Sequence, residues 1–554
     1  MSLPARPAIF LKKLFRPLGV LVSFVARVLS RVKPIGFIGA RRPMAAHVWR
    51  KLVRGVIVLV GLSVFLGIHY FIGYSVFEEW WKLPAGLFIA AITFAAVVWR
   101  PSVAFVAWLA VSPLGTIFLQ IDFGANLPAV TFDRLALYSL AALFALRTMV
   151  YRIPARRMTM PELLLSGYVL FSGVNMFFHE PAVQIRDLNV FVGIVLLSAV
   201  LYFVAKAAIT TKEQIVWILI ALAVVGVYSA LSGIYEHETG NMWFSSFIGE
   251  SYKLMWSDVG TGRSAGPFGN TTVYGAMLGL TTFAAFHLSI YTDKRWAKAL
   301  CYASMALMVV GCYFCFTRGG YIPLALFLLF MPFLAVGARK QYALATLVSV
   351  VILIAAVPVM LGNRLVYERM SRESTVIGRI ATSATQMNVF RHNMVFGVGL
   401  NRVHYVMERY VTNAGSVSGM WARGGGYDSP LGKLRPVVDS HNSVLTILDE
   451  NGLIGGLLYY GAILWFVVRV FAIRSRLKSH GMLGKDYASL IITFIAGNLL
   501  SSTVYDVRYF AYPNYVFWIL IATVVRLDEL SAAEAQGPSK AGDQTQDDGA
   551  LAHA

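Results

Sequence analysis

The stretch IVWILIALAVVGVYSALSGIY, residues 215–235, decides the fold. It holds no charged residue. As a helix rising 1.5 Å per residue, it reaches about 30 Å, the thickness of a bilayer hydrocarbon core. A backbone in that medium must satisfy its own hydrogen bonds, so the stretch reads as a transmembrane helix. Polar residues bound it on both sides, with Thr211, Lys212 and Glu213 before it and Glu236, His237 and Glu238 after it.

Similar stretches recur on either side, at 53–74, 83–99, 102–120, 132–150, 161–178, 188–208, 271–290, 297–316, 319–337, 342–361, 453–471, 487–505 and 510–526. The composition agrees. Of 554 residues, 57% are hydrophobic and 14% charged, with mean hydropathy +0.65, whereas soluble chains carry about 25% charged residues. The expected fold class is therefore all-α, a polytopic membrane protein of about 14 transmembrane helices. The three cysteines, Cys301, Cys312 and Cys315, share one apolar stretch. That excludes a disulfide framework and reads as small packing residues.

Forty-eight Lys and Arg against 28 Asp and Glu leave a formal charge of +20. In a soluble chain this would suggest nucleic acid; in a membrane chain it first reports orientation. With the N-terminus inside, the inner segments hold 31 of the bases and the short outer loops only 7, which predicts N-in, C-in and no nucleic-acid partner. Residues 1–52 read as a basic cytoplasmic segment with an amphipathic helix over 8–32. The transmembrane domain spans 53–527, and the Ala-, Gln- and Gly-rich tail, 528–554, reads as disordered.

Two outer loops are long, 236–270 and 362–440, and the second is long enough to form a subdomain. It carries ten bases, nine of them Arg, against five acids. Arginine's planar fork suits phosphate oxygens; a solvated loop over anionic headgroups is the other reading. Arg318 lies in Phe316-Thr317-Arg318-Gly319-Gly320, a turn between two spans, where a charge needs either a snorkelling exit or a partner. Arg263 is the single base of a similar Gly-rich turn, residues 261–270. His441 follows Asp439 and Ser440, either of which can cap a helix, and precedes a helix ending at Asn451-Gly452. In the first turn it would feel the positive dipole end and stay neutral, as a general base must; a satisfied structural histidine is the alternative. Glu236-His237-Glu238 has no specific metal-site spacing, and no metal or other cofactor is expected.

Taken together, several pieces resemble the bacterial O-antigen ligase and O-antigen polymerase superfamily. They are Phe316 to Gly320; Thr375 to Arg379 followed by Val395-Phe396-Gly397-Val398-Gly399-Leu400; and Ser440-His441-Asn442-Ser443 through Asp449-Glu450-Asn451-Gly452-Leu453-Ile454-Gly455. Gly233 to Glu236, Thr239 to Asn241 and Arg263 to Asn270 are similar to the family's preceding loop. The likeness covers about residues 210–520. It departs at Phe390-Arg391-His392-Asn393, where members commonly have Asn-Pro or Asp-Pro.

The resemblance implies glycan transfer on the periplasmic face of the inner membrane, from an undecaprenyl diphosphate-linked donor to an acceptor hydroxyl. It implies His441 as base and Arg318 and Arg379 at the diphosphate, with Arg263 or Arg391 in support. Asp439, Glu450 and Glu236 would orient or support these groups. The acceptor is another lipid-linked glycan in a polymerase and lipid A-core in a ligase. The reading leans to a polymerase, with a chain-length regulator as its partner. A transporter or flippase of lipid-linked glycans is the reading from another class; it requires ionisable groups near the membrane midplane, and the spans contain few, such as His69 and His287.

Overall fold

The structure, a computed structural model, describes residues 100–118, 120–121, 130–151, 158–179, 185–243, 262–362, 373–410 and 442–535. The expected spans 53–74 and 83–99, the basic segment 1–52, His441 and Asp439 lie outside the described residues.

The described chain is helical throughout except for one antiparallel ladder of two-residue strands, β1 (Gln120–Ile121) and β2 (Val130–Thr131). The helices are α1 (Pro101–Phe118), α2 (Phe132–Tyr151), α3 (Met160–Asn175), α4 (Ile185–Val190), α5 (Leu197–Ala208), α6 (Lys212–Thr239), α7 (Thr271–Tyr291) and α8 (Arg295–Tyr313). They continue with α9 (Arg318–Leu334), α10 (Arg339–Gly362), α11 (Glu373–His392), the short α12 (Val403–Val406), α13 (Ser443–Arg476), α14 (Lys485–Ser502) and α15 (Ala511–Ala535). A π turn, Phe191–Leu196, joins α4 to α5. Every expected span within the described residues falls on a helix. Among the described residues five helical stretches are long and apolar enough to cross a membrane: Asp187–Ala208, Lys212–Thr239, Thr271–Tyr291, Arg295–Tyr313 and Ser443–Arg476.

The chain divides into two compact units, the smaller formed by residues 1–105, 118–121 and 129–156. Its described part holds the β1–β2 ladder and α2. The larger unit carries every candidate site residue.

Within the larger unit α7 is almost wholly buried and packs against α6, α8 and α9. Small residues permit this. A methyl group on Gly275 would meet Cys315 and the backbone of Gly320, and one on Gly279 would meet Leu324. The Gly275–Gly279 pair is thus a helix-packing seam, and Cys312, with its thiol 3.6 Å from the Gly275 carbonyl, belongs to it. Large apolar side chains project outward, among them Phe333, Leu344, Ile354, Leu457 and Leu464. Exposure on that scale suits a lipid-covered surface rather than a wet one.

Polar groups inside the helical layer are committed to one another. His287 is fully buried, with Nδ1 3.0 Å from the Tyr342 hydroxyl and Nε2 2.7 Å from the Met482 carbonyl. The Asp486 carboxylate accepts the backbone N–H groups of Val336, Gly337 and Ala338 and the hydroxyl of Tyr291, closing the turn between α9 and α10. At the end of α15 the expected disorder is corrected for residues 528–535, while 536–554 lie outside the described residues. The helix runs to Ala535, because Asp528 pairs with Arg476 at 2.9 Å, Glu529 with Lys206 at 2.9 Å and Glu534 with Lys212 at 2.5 Å.

The feature that positions the site is a break in α13. Gly452 has φ 61° and ψ −165°, a conformation open essentially to glycine alone. The break frees two carbonyls and two N–H groups, and the loop after α11 takes all four. Val398 N donates to Asp449 O at 2.7 Å and Gly399 N to Glu450 O at 3.0 Å, while Leu453 N and Ile454 N donate to Met394 O and Val395 O at 2.8 and 3.3 Å. The Asn175 amide, at the end of α3, donates to Phe396 O and Glu450 O. Asn393, where the family commonly has a proline pair, ends α11 by donating its backbone N–H to the Val389 and Phe390 carbonyls and accepts from Gly397 N at 2.9 Å.

Gly452→Ala is expected to destabilise the protein by more than the roughly 1 kcal/mol that a left-handed alanine costs, because its methyl group would collide with the Val395 carbonyl. Gly240→Ala, at φ 66° and ψ 7° with nothing within 4 Å, reports the ordinary left-handed cost alone. Thermal unfolding in detergent should show a clearly larger drop for Gly452→Ala; equal drops would remove the clamp.

Candidate functional site

Two Gly-rich turns and one helix bring the arginines together. The first turn follows α6. Glu236, 4% exposed, accepts the backbone N–H groups of Ala265 and Gly266 on one carboxylate oxygen at 3.0 and 2.8 Å. The Ser264 hydroxyl donates to the Gly233 carbonyl at 2.6 Å. Through that oxygen Glu236 supports the Arg263 loop.

The second turn joins α8 to α9. Phe316 takes φ 42°, an uncommon choice for an aromatic residue, and is held among Tyr313, Phe314 and His237. Thr317 follows, and Arg318 opens α9, exposed, with Gly319 packed on Thr272 and Gly320 on Gly275. The two turns are joined directly: Ser264 N donates to Phe314 O at 3.0 Å. The Arg263 charge is felt at Cys315 on the same turn.

Arg379 comes from α11, whose face Thr382, Thr385, Gln386 and Val389 is buried and packs on the start of α13. Gln386 donates to the Thr446 hydroxyl at 3.3 Å. Burial and, after it, the nearby Arg318 guanidinium hold the Arg379 pKa below its ordinary value. Its Nε is buried with no hydrogen-bond partner. Arg263, Arg318 and Arg379 thus gather at one end of the helical layer. Arg391 does not join them: it is exposed, and twelve residues along the same helix place it about 18 Å from Arg379.

The start of α13 corrects the expected cap. Asn442, not Asp439 or Ser440, caps the helix, accepting from Val444 N and Leu445 N at 3.0 and 3.1 Å. The helix begins at Ser443, so its first turn does not include His441. Asn451-Gly452 does break the helix, as the sequence reading has it, and α13 continues beyond as a span. Glu450 is buried with both oxygens engaged, one by Asn401 N at 3.0 Å and the other by Arg508 at 3.0 Å.

Arg508 also pairs with Asp506 at 3.1 Å, and Asp506 accepts from the Ser443 hydroxyl at 2.7 Å. This buried network ties the loop between α14 and α15 to the N-terminus of α13, two residues beyond His441. It was missed from the sequence, although Asp506-Val507-Arg508 in a very short loop between two spans is a readable signal. Arg402 was also missed. It is 1% exposed and donates to the His179 carbonyl. Burial and, less, the Arg402 charge lower the His179 pKa.

These features define a polytopic α-helical membrane protein with an arginine cluster at two Gly-rich turns and a helix broken at a DENG sequence. Residues 303–460 match the family described as O-antigen ligase, so this segment of the chain is similar to that family. The matched segment contains Arg318, Arg379, Arg391, His441 and Glu450, while Glu236, His237 and Arg263 precede it. No curated protein matches the chain significantly. That family's likeness is to a glycosyltransferase-like enzyme in a membrane.

Arg508→Met is expected to leave Glu450 and Asp506 buried without their counter-charge and to cost about 3–5 kcal/mol. Thermal unfolding of the purified variant should show a large drop, whereas an unchanged midpoint would show that the network does not stabilise the fold.

Proposed function

We propose that the protein is an integral inner-membrane glycan transferase that moves an oligo- or polysaccharide from undecaprenyl diphosphate to an acceptor hydroxyl on the periplasmic face. One observation carries the reading: Arg318 and Arg379, on two separate elements, lie close enough for each charge to act on the other, with the Arg263 loop bonded to the Arg318 turn. Two guanidinium groups held this close present planar forks that suit an anion able to span both. A lipid diphosphate is such an anion, and its charge grows as the glycosidic bond breaks.

In this reading His441 takes the proton from the acceptor hydroxyl. The freed oxygen attacks the anomeric carbon as the bond from that carbon to the diphosphate oxygen breaks, and the arginines hold the departing diphosphate. The transfer is a single displacement with inversion that uses no metal. Glu236 positions the Arg263 loop and Glu450 anchors α13; Asp439 remains a candidate orienting group for His441. N-in, C-in topology puts these groups on the periplasmic side, in accord with the 31-to-7 bias of the bases.

A polymerase, whose acceptor is a second lipid-linked glycan and whose partner is a chain-length regulator, is the reading favoured by the number of spans. A ligase, with lipid A-core as acceptor, is the alternative, and the family match accords with either. Both use the same groups.

Purified protein in nanodiscs, given a synthetic undecaprenyl diphosphate-linked repeat and EDTA, is expected to transfer sugar. His441→Ala should lose turnover and keep donor binding; unchanged turnover removes the base assignment. Arg318→Ala and Arg379→Ala should each weaken donor binding about 10- to 100-fold, the size of a lost charge-assisted hydrogen bond. Normal donor affinity in both removes the diphosphate site. Supplying lipid-linked repeat or lipid A-core as sole acceptor decides between polymerase and ligase.

A further inference from the structure

His237, near the end of α6, touches both Gly-rich turns. Its Nδ1 lies 3.0 Å from the Gly262 carbonyl, so that nitrogen carries the proton and donates it to the residue just before Arg263. Its ring stacks on Phe314, with centroids 4.1 Å apart and planes at 20°, and meets the edge of Phe316 at 5.8 Å. Phe314 and Phe316 lie immediately before Thr317 and Arg318, and Phe316 holds φ 42°. One imidazole therefore spans from the backbone of one arginine turn to the aromatic wall of the other. Glu236 and Glu238 flank it on α6, and the Glu236 carboxylate is turned to Ala265 N and Gly266 N instead of the ring.

Two turns that each carry a cation hold their spacing through the contacts that join them; Ser264 bonds to Phe314 after Arg263, and His237 reaches the residue before it. We propose that His237 is a positioning residue that straps the Arg263 loop to the Arg318 turn at the spacing one diphosphate requires. This rests on the donor-site reading above. Two contacts of different kind do the work: the N–H bond sets the height of the Arg263 loop, and the stack keeps the Phe316 turn in its left-handed conformation. His237 acts on the donor through the arginines and takes no part in proton transfer to the acceptor.

The test is a double-mutant cycle on the full-length protein in nanodiscs, with undecaprenyl diphosphate as the probe and the dissociation constant as the readout. His237→Phe keeps a ring and loses the N–H bond; it is expected to weaken probe binding about tenfold. His237→Asn restores an N–H at the Nδ1 position and should recover part of that loss. In an Arg263→Ala background the His237→Phe penalty should shrink to less than about threefold, because the group being positioned is gone. The cycle is repeated with His237→Leu, so that a folding defect peculiar to one side chain is not read as positioning. Penalties that multiply, with Arg263→Ala itself weakened, overturn the strap and leave the donor site standing. Normal probe affinity in Arg263→Ala and Arg318→Ala overturns the donor site, and the strap with it.

Discussion

At Gly452 α13 gives up two rungs of its own hydrogen-bond ladder and makes them again with another part of the chain. In a bilayer-facing helix this is severe, because each unmet backbone group costs several kcal/mol where no water replaces it. The loop from Met394 to Gly399 supplies two donors and two acceptors at 2.7 to 3.3 Å. Gly397 at φ 74° and Gly399 at φ 91° let that backbone come close enough, since a methyl group on Gly397 would run into the Glu450–Asn451 peptide. The clamp joins the end of α11 to the start of α13, and Asn175 ties both to α3.

The site's placement depends on this clamp. Arg379 rides on α11, whose buried face packs on the first turns of α13. The Arg508 network holds the same turns from the other side through Ser443 and Glu450. Arg318 reaches the cluster by a separate route, the packing of Gly320 against Gly275 near the start of α7. Arginines from independent elements are brought together by backbone exchange, a buried ion network and small-residue packing, none of which involves the guanidinium groups.

The matching short motifs of the sequence acquire a physical reason here. Phe396-Gly-Val-Gly-Leu and Asp449-Glu-Asn-Gly-Leu-Ile-Gly lie some fifty residues apart, yet they are the two halves of one hydrogen-bonded joint. Gly319 and Gly320 beside Arg318 are small because α7 and Tyr505 crowd that turn. In Glu236-His237-Glu238, which offered a weak metal pattern, Glu236 and His237 bond to the backbone of the Arg263 loop.

The sequence by itself determined the helical spans, the punctuation at Asn451-Gly452, and which turns carry arginine. These follow from local rules: uninterrupted apolar length, glycine where φ is positive, and charge placed at the ends of spans. It did not determine that Asn442 rather than Asp439 or Ser440 caps α13, since all three can accept the first N–H groups and only the packed helix selects one. Nor did it separate Arg379 from Arg391, which share a helix and a charge. The fold decided that, because about 18 Å of helix divides them and only Arg379 lies where α11 meets the Arg318 turn. The Arg508–Glu450 pair and the His237 strap were likewise decided by tertiary structure, because each joins residues whose proximity no local pattern encodes.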